Sequence, residues 1–208
     1  MSKVDFNPDE PLLTVSKLNA WYGAAHILFD VDLNVRRGEV VALMGRNGAG
    51  KSTTLKSIMG LMEKSKGDIH FMGSKVSGRQ SFEIARRGVG FVPEDRRVFS
   101  DLTVTENLEV GRQPSRTWPD GTLMGNPFLV LLDEPSEGVA PLIVEQMANM
   151  IIALKEHGVS VLLSEQNVHF PELVSDRVYV LEKGQIRYAA TMAELAENEE
   201  IRRSYLTV

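Results

Sequence analysis

Cysteine is absent from all 208 residues, which excludes disulfides and thiolate metal sites and is compatible with a reducing compartment. No stretch approaches the ~18 consecutive apolar residues that a membrane-spanning helix needs. Positive charge is not in excess either: 23 Lys and Arg against 28 Asp and Glu give a net charge of −5, which argues against a nucleic-acid surface, since phosphate neutralisation needs clustered cations. The basic pairs Arg36-Arg37, Arg86-Arg87, Arg96-Arg97 and Arg202-Arg203 mostly have acids nearby and read as solvated mixed-charge faces. Met1 to Glu10 carries three acids and no apolar run, so a secretory signal is not expected. Internal repeats and low-complexity tracts are missing as well.

What is present suits one globular domain: 43% hydrophobic and 25% charged residues, with enough chain to build a core without staples. Leu12 to Val15 and Val31 to Val35 read as short strands. Val40 to Met44 is a compact apolar run ending at Gly45, as a buried parallel strand would be. Leu55, Ile58, Met59 and Met62 then recur at helical spacing. Gly88 to Val92 reads as a strand closed by Pro93, and Phe128 to Leu132 as a fully apolar strand ending in Asp133-Glu134-Pro135. Ile143, Met147, Met150, Ile151 and Leu154 mark a helix starting after Pro141 and stopping before Gly158. Ser160 to Leu163 and Arg177 to Leu181 supply further strands. A turn at Lys183-Gly184 leads to Gln185 to Tyr188, and Thr191 with Glu194 forms a capping box for a last helix. Alternating strands and helices after residue 40 predict a mainly parallel sheet covered on both faces.

Two motifs carry chemistry. Gly45-Arg46-Asn47-Gly48-Ala49-Gly50-Lys51-Ser52 fits G-x-x-x-x-G-K-[ST] between a strand and a helix. Its glycines let the backbone curl so that N–H groups face a phosphate, and the following helix adds the positive end of its dipole. Lys51 is placed to reach the β- and γ-phosphates of ATP and Ser52 to ligate Mg²⁺, with Thr53 next in the cradle. The apolar strand from Phe128 delivers Asp133 and Glu134 at its carboxyl end, where open α/β sheets bind ligands. Asp133 is expected to hold Mg²⁺ through water, and Glu134 to accept a hydrogen bond from the attacking water as general base.

The phosphate loop, Leu131-Leu132-Asp133-Glu134-Pro135-Ser136 and Trp21-Tyr22-Gly23 together resemble the ATP-binding subunits of ABC transporters. Gly90 to Arg97, Leu102 to Leu108, Pro135 to Pro141 and Ser164-Glu165-Gln166-Asn167 are similar to those of branched-chain amino acid importers. The resemblance covers nearly the whole chain. It implies an α/β fold of P-loop NTPase, ABC type: a mainly parallel sheet flanked by helices plus an N-terminal antiparallel β subdomain, all within a single domain over 1–208. It implies that Tyr22 stacks on adenine, that Glu94 stands where a magnesium-sensing glutamine is usual, and that Gln166 replaces a histidine contacting the γ-phosphate. Glutamine can donate that bond but cannot titrate. Ser136 to Ala140 corresponds to a loop signalling to the opposite subunit, with Ala140 in place of an aspartate. The implied partners are transmembrane permease subunits and a second ATP-binding subunit, identical or related, at the cytoplasmic face of the membrane. No nucleic acid is implied.

One departure stands out. The L-S-G-G-Q-type segment of a helical subdomain should lie between Pro93 and Phe128, and it is absent; several tens of residues are missing around the irregular stretch 113–125. Either a mobile stretch has been left out of this sequence, the preferred expectation, or the deletion is genuine. A Cα–Cα spacing at 121–122 well beyond 3.80 Å would mark the former. The leading expectation is an ATPase motor; a nucleotide-binding module without its own hydrolytic cycle follows from a genuine deletion. A P-loop kinase is disfavoured by Asp133-Glu134-Pro135 and by the lack of an acceptor site.

Overall fold

A computed structural model describes residues 10–95 and 127–206; the stretch 113–125, its junction at 121–122 and the Leu102 to Leu108 motif lie outside the described residues. The amino-terminal part is an antiparallel sheet. Strands β1 (Leu13–Tyr22) and β2 (Ala25–Val35) form a hairpin closed by Gly23 and Ala24, β4 (Lys64–Phe71) pairs with the other side of β1, and β5 (Ser74–Lys75) gives the order β2-β1-β4-β5.

This hairpin is longer than the short strands expected from the sequence. Lys17 (φ 49°) and Asp30 (φ 47°) adopt left-handed conformations at shifts in register. The Lys17 amide donates to Asp32 Oδ1 at 2.8 Å, and Asn19 Nδ2 donates to Asp30 Oδ1 at 2.8 Å. Such bulges interrupt the two-residue alternation without ending the strand. Strand β4 escaped notice because it buries only Ile69 and Phe71 among otherwise polar residues.

The second sheet has six strands in the order β10-β9-β3-β8-β7-β6. These are β3 (Val40–Met44), β6 (Val89–Val92), β7 (Leu129–Asp133), β8 (Ser160–Glu165), β9 (Arg177–Glu182) and β10 (Gln185–Thr191). All neighbours run parallel except β9 and β10. Every residue of β3, β7 and β8 is buried, which is why these strands read as unbroken apolar runs. Alternate side chains enter different cores. Val41 and Leu43 join Leu55, Leu131 and the β1–β2 residues, while Val40, Ala42 and Met44 join Leu132, Ile151 and Leu163.

Helix α1 (Lys51–Ile58) ends at the Met59 cap, so Met62 packs from beyond the helix rather than within it. The short α2 (Ser81–Arg86) was not anticipated, nor was α4 (His169–Val174). Helix α3 (Pro141–Glu156) has Pro141 at its start as expected, but its buried face is centred on Ala148 and Ile151. Ile143 and Met150 are 44% and 52% exposed; the small Ala148 lets the helix lie close to the sheet and turns those two away. Thr191 caps α5 (Met192–Glu197): Glu194 N–H donates to Thr191 Oγ1 at 3.2 Å and Thr191 N–H to Glu194 Oε2 at 2.8 Å. Helix α6 (Glu199–Ile201) continues into a π-helical turn at Arg202–Leu206.

A guanidinium bridges the two sheets. Arg177 on β9 donates through Nη2 to Asn34 O at 2.9 Å and to Glu39 Oε2 at 3.0 Å, joining β2 to the entry of β3. Hydrogen bonding to Glu39 holds Arg177 well above the ordinary arginine range. Removing one member of such a partly buried pair strands the other charge. Glu39→Ala is therefore expected to lower unfolding stability by about 3 kcal/mol. Urea denaturation checks this, and adding Arg177→Met should recover part of the loss.

Candidate functional site

Strand register brings the candidate residues together. Met44 pairs with Glu165 and Asp133 with Ser164 across parallel ladders, so β3, β8 and β7 end side by side and the chain leaves each of them at the same edge. From β3 the backbone passes directly into the loop Gly45 to Ser52. The Gly45 N–H donates to Glu165 O at 3.3 Å, and a Cβ at Gly45 would sit 2.3 Å from Leu181 O, so no side chain fits there. Gly50, at the start of α1, has φ 109°, a conformation that only glycine adopts readily. Arg46, Asn47 and Gly48 form the exposed rim, while Ala49, Gly50, Lys51 and Thr53 are buried.

Lys51 is enclosed by anionic and carbonyl oxygen. Its Nζ donates to Gly45 O at 2.8 Å and lies 3.0 Å from Glu134 Oε1. Ser52 Oγ donates to Asp133 Oδ1 at 3.0 Å. The loop and both strand-end carboxylates thus meet directly. Ser164, to which no role was assigned from sequence, is the hinge of the arrangement. Its hydroxyl donates to Asp133 Oδ1 at 2.7 Å and accepts the Glu134 N–H at 3.1 Å. Only the Asp133–Ser164 register reveals this, because nothing in the local sequence distinguishes that serine.

Glu134 itself has φ 48°, a strained conformation for a bulky residue that surrounding bonds must hold in place. Burial alone would raise its carboxyl, but hydrogen bonds with Glu137 and Lys51 outweigh burial and hold it below the usual range. Glu137 takes the opposite shift: its hydrogen bond to Glu134, then the Glu134 charge, push it up to about 7. Glu165 is buried, which raises its carboxyl, and Oε1 accepts the Ser136 N–H at 2.8 Å. Glu137 and Glu165 stand in sequence segments already noted, but neither carries a chemical role of its own in the sequence reading.

The remaining candidates lie around this centre. Carboxylate oxygens of Glu94, Glu134 and Glu137 fall within 4.8 Å of one another. Gln166, just past β8, lines an open pocket of about 910 Å³ with Glu134, Glu137 and Glu165. Tyr22, at the tip of the β1–β2 hairpin and 50% exposed, lines a second pocket of about 590 Å³ with Lys56, Glu94 and Asp133. The loop amides and the α1 amino end suit a polyphosphate. The adjacent Ser52 hydroxyl and Asp133 carboxylate are hard oxygen donors that fit magnesium, which takes one or two carboxylates plus phosphate oxygens.

Comparison with known proteins converges on one family. The family model described as ABC transporter matches residues 28–203. The high-affinity branched-chain amino acid transport ATP-binding protein BraG of Pseudomonas aeruginosa is 37% identical over 231 residues, covering 94% of this chain and 99% of BraG. The probable branched-chain amino acid transport ATP-binding protein LivF of Archaeoglobus fulgidus is 30% identical, covering 91% and 96%. The lipopolysaccharide export system ATP-binding protein LptB of Haemophilus influenzae is 29% identical, covering 94% and 97%. A solved ATP-binding subunit of an ABC transporter superposes with TM-score 0.75 at 29% identity, covering 93% and 92%. Because 94% of 208 residues is about 196, about 35 of the 231 positions aligned with BraG belong to BraG alone.

The Glu134–Glu137 pair has a consequence for stability. A carboxyl raised in the folded state binds its proton more tightly there than in the unfolded chain, so stability falls as pH rises from about 4.5 to about 7. Glu137→Gln should remove that slope: its stability relative to the parent rises across this window and levels off above it. Denaturant unfolding at a series of pH values, without nucleotide, checks this.

Proposed function

This chain belongs to the ABC transporter family, whose ATP-binding subunits hydrolyse ATP to power transport, and on that premise we propose that it energises uptake of branched-chain amino acids. The single observation that carries the catalytic part of this reading is the meeting of Lys51 with Glu134 and of Ser52 with Asp133 at 3.0 Å each. In this reading the loop Gly45 to Thr53 wraps the triphosphate with main-chain amides. Lys51 exchanges Glu134 for the β- and γ-phosphates, two anions competing for one buried ammonium. Ser52, Asp133 and Glu94 would hold Mg²⁺, which would supply charge neutralisation at the phosphate oxygens. Tyr22 stacks on adenine, and Gln166 donates to a γ-phosphate oxygen.

Glu134, ionised at neutral pH and freed of Lys51, accepts a proton from water as the water oxygen attacks the γ-phosphorus and ADP departs. Ser164 is the positioning residue for this step, since one hydroxyl sets both Asp133 and the Glu134 backbone. Among the described residues no helix is long and apolar enough to cross a membrane. The transport step therefore belongs to permease partners, with this chain a single ATP-binding domain peripheral to the cytoplasmic face and paired with a second ATP-binding subunit.

The substrate class is supported by the similarity to BraG and LivF. Similarity to LptB at 29% identity favours a second reading, lipopolysaccharide export. A third reading, a nucleotide-binding module without its own hydrolytic cycle, is favoured by the missing signature segment and by the deficit of about 35 positions.

Two measurements test these readings. Glu134→Gln should lower ATP turnover by the assembled transporter on the order of 10²–10⁴-fold while ATP binding persists; unchanged turnover would remove Glu134 from its role. ATP binding without turnover in the parent assembly would favour the binding module instead. Membrane vesicles carrying this chain with its permease partners should accumulate radiolabelled leucine, isoleucine and valine in an ATP-dependent manner. Absence of uptake for all three would sink the amino acid assignment.

A further inference from the structure

The turn between β9 and β10 touches the phosphate loop and the Tyr22 hairpin at the same residue. Lys183 (φ 48°) and Gly184 (φ 75°) form a two-residue hairpin loop with both φ values positive, as a type I′ turn requires. Lys183 is exposed, but the backbone at the next residue turns inward. Gly184 is buried; its N–H donates to Ala49 O in the phosphate loop at 2.9 Å, and its carbonyl accepts the Phe29 N–H of β2 at 2.8 Å. One peptide unit on either side of a single Cα thus joins Phe29 and Ala49, twenty positions apart in sequence.

Packing around this point leaves no slack. A Cβ on Gly184 would lie 1.9 Å from Ile27 O, a backbone atom that cannot rotate aside. From the loop side, a Cβ at Gly45 would meet Leu181 O at 2.3 Å, and one at Gly50 would meet Leu28 Cδ2 at 2.6 Å. Three elements, the phosphate loop, β2 and the β9–β10 turn, are therefore in backbone contact, and Leu28, Leu181 and Ala49 at their junction are all buried. Strand β2 pairs with β1 through to Tyr22 and Ala25, so the position of Tyr22 follows that of Ile27 to Phe29.

We propose that Gly184 is a positioning residue for nucleotide binding: it clasps the Tyr22-bearing hairpin to the phosphate loop, so that the base-binding and phosphate-binding halves of the site hold one fixed spacing. The inference rests on the reading in which Tyr22 stacks on adenine. A clasp of this kind makes the two halves cooperative. Ordering the loop on a triphosphate steadies β2 through Ala49, Gly184 and Phe29, and a steadied hairpin presents Tyr22 to the base at lower entropic cost. Without it, each half still binds its own part of the ligand, but not at the separation a single nucleotide spans.

The test uses calorimetric titration of the full chain with ATP and with inorganic tripolyphosphate, which has no base. Tyr22→Ala should weaken ATP about tenfold, the value of one stacking contact, and leave tripolyphosphate unchanged. Gly184→Ala should weaken ATP by at least about tenfold as well, and adding Tyr22→Ala to it should cost less than about twofold more. Gly158→Ala is the control: Gly158 has φ +79° but nothing within 4 Å of a Cβ, so it carries the same backbone strain without the collision and should bind both ligands as the parent does. Parent-like ATP affinity in Gly184→Ala, or an undiminished cost of Tyr22→Ala in that background, would overturn the clasp. If Tyr22→Ala leaves ATP binding unchanged, the adenine reading fails, and hydrogen exchange on the parent chain decides the clasp alone. That measurement also serves if Gly184→Ala does not fold. Tripolyphosphate should then slow exchange at the Phe29 and Gly184 amides, neither of which belongs to the phosphate loop, and slowing confined to residues 45–52 would refute the proposal.

Discussion

A buried ammonium without an anion is among the costliest things a protein can hold, and Lys51, 3% exposed, has one in Glu134 at 3.0 Å. Much of the local architecture follows from keeping these two charges in place. Glu134 reaches Lys51 from a left-handed backbone, and its N–H is held twice, by Ser164 O at 3.1 Å and by the Ser164 hydroxyl at 3.1 Å. Ser164 is in turn fixed by the parallel pairing of β8 with β7 and β3. The sheet register, the strained carboxylate and the enclosed lysine are one structure seen at three scales.

On the proposed function, the charge balance of the site favours a nucleotide arriving with a divalent cation over a free anion. Glu94, Asp133, Glu134, Glu137 and Glu165 crowd the site where Lys51 pairs with Glu134, and the crowding shows in Glu137, which retains its proton up to about 7 beside Glu134. A bare polyphosphate entering here meets carboxylate repulsion as well as the amides of the loop. A divalent cation arriving with the phosphates relieves both. On the proposed function the same crowding favours a partner exchange at Lys51, in which a phosphate takes the ammonium and leaves Glu134 ionised beside Glu137.

Legibility followed burial and local pattern. Strands β3 and β7 were read within a residue of their observed ends, because burial on both faces writes an uninterrupted apolar run. The loop Gly45 to Ser52 and the Thr191 cap were legible because their chemistry needs fixed residue types at fixed spacing. The β1–β2 hairpin was underestimated where bulges at Lys17 and Asp30 break the alternation, and β4 was missed because its exposed half is held by pairing with β1, a long-range contact invisible to a local window. At the site, Asp133 and Glu134 announced themselves, whereas Ser164 and Glu137 matter only through partners thirty and three residues away. Helix α3 gives the subtler case: the expected stripe includes Ile143 and Met150, whereas the buried face carries the small Ala148 with Ile151.

The missing signature segment bears unequally on the two things such a chain must do. Every group proposed to hold nucleotide lies within the described residues and is positioned by contacts among them: the loop by β3, Leu181 and Gly184, the carboxylates by Ser164, and Tyr22 by the hairpin pairing. These contacts are made by residues outside 96–126, so the proposed nucleotide site does not draw on the stretch between Pro93 and Phe128 where the signature would lie. What an ABC subunit donates to its neighbour is another matter, since the segment between Pro93 and Phe128 is the one that would close over a nucleotide bound opposite. Were the deletion genuine, the chain would receive closure without providing it, and a partner bearing an intact segment would complete this site where an identical partner would not. With the stretch merely omitted from this sequence, an identical and a related second subunit serve equally.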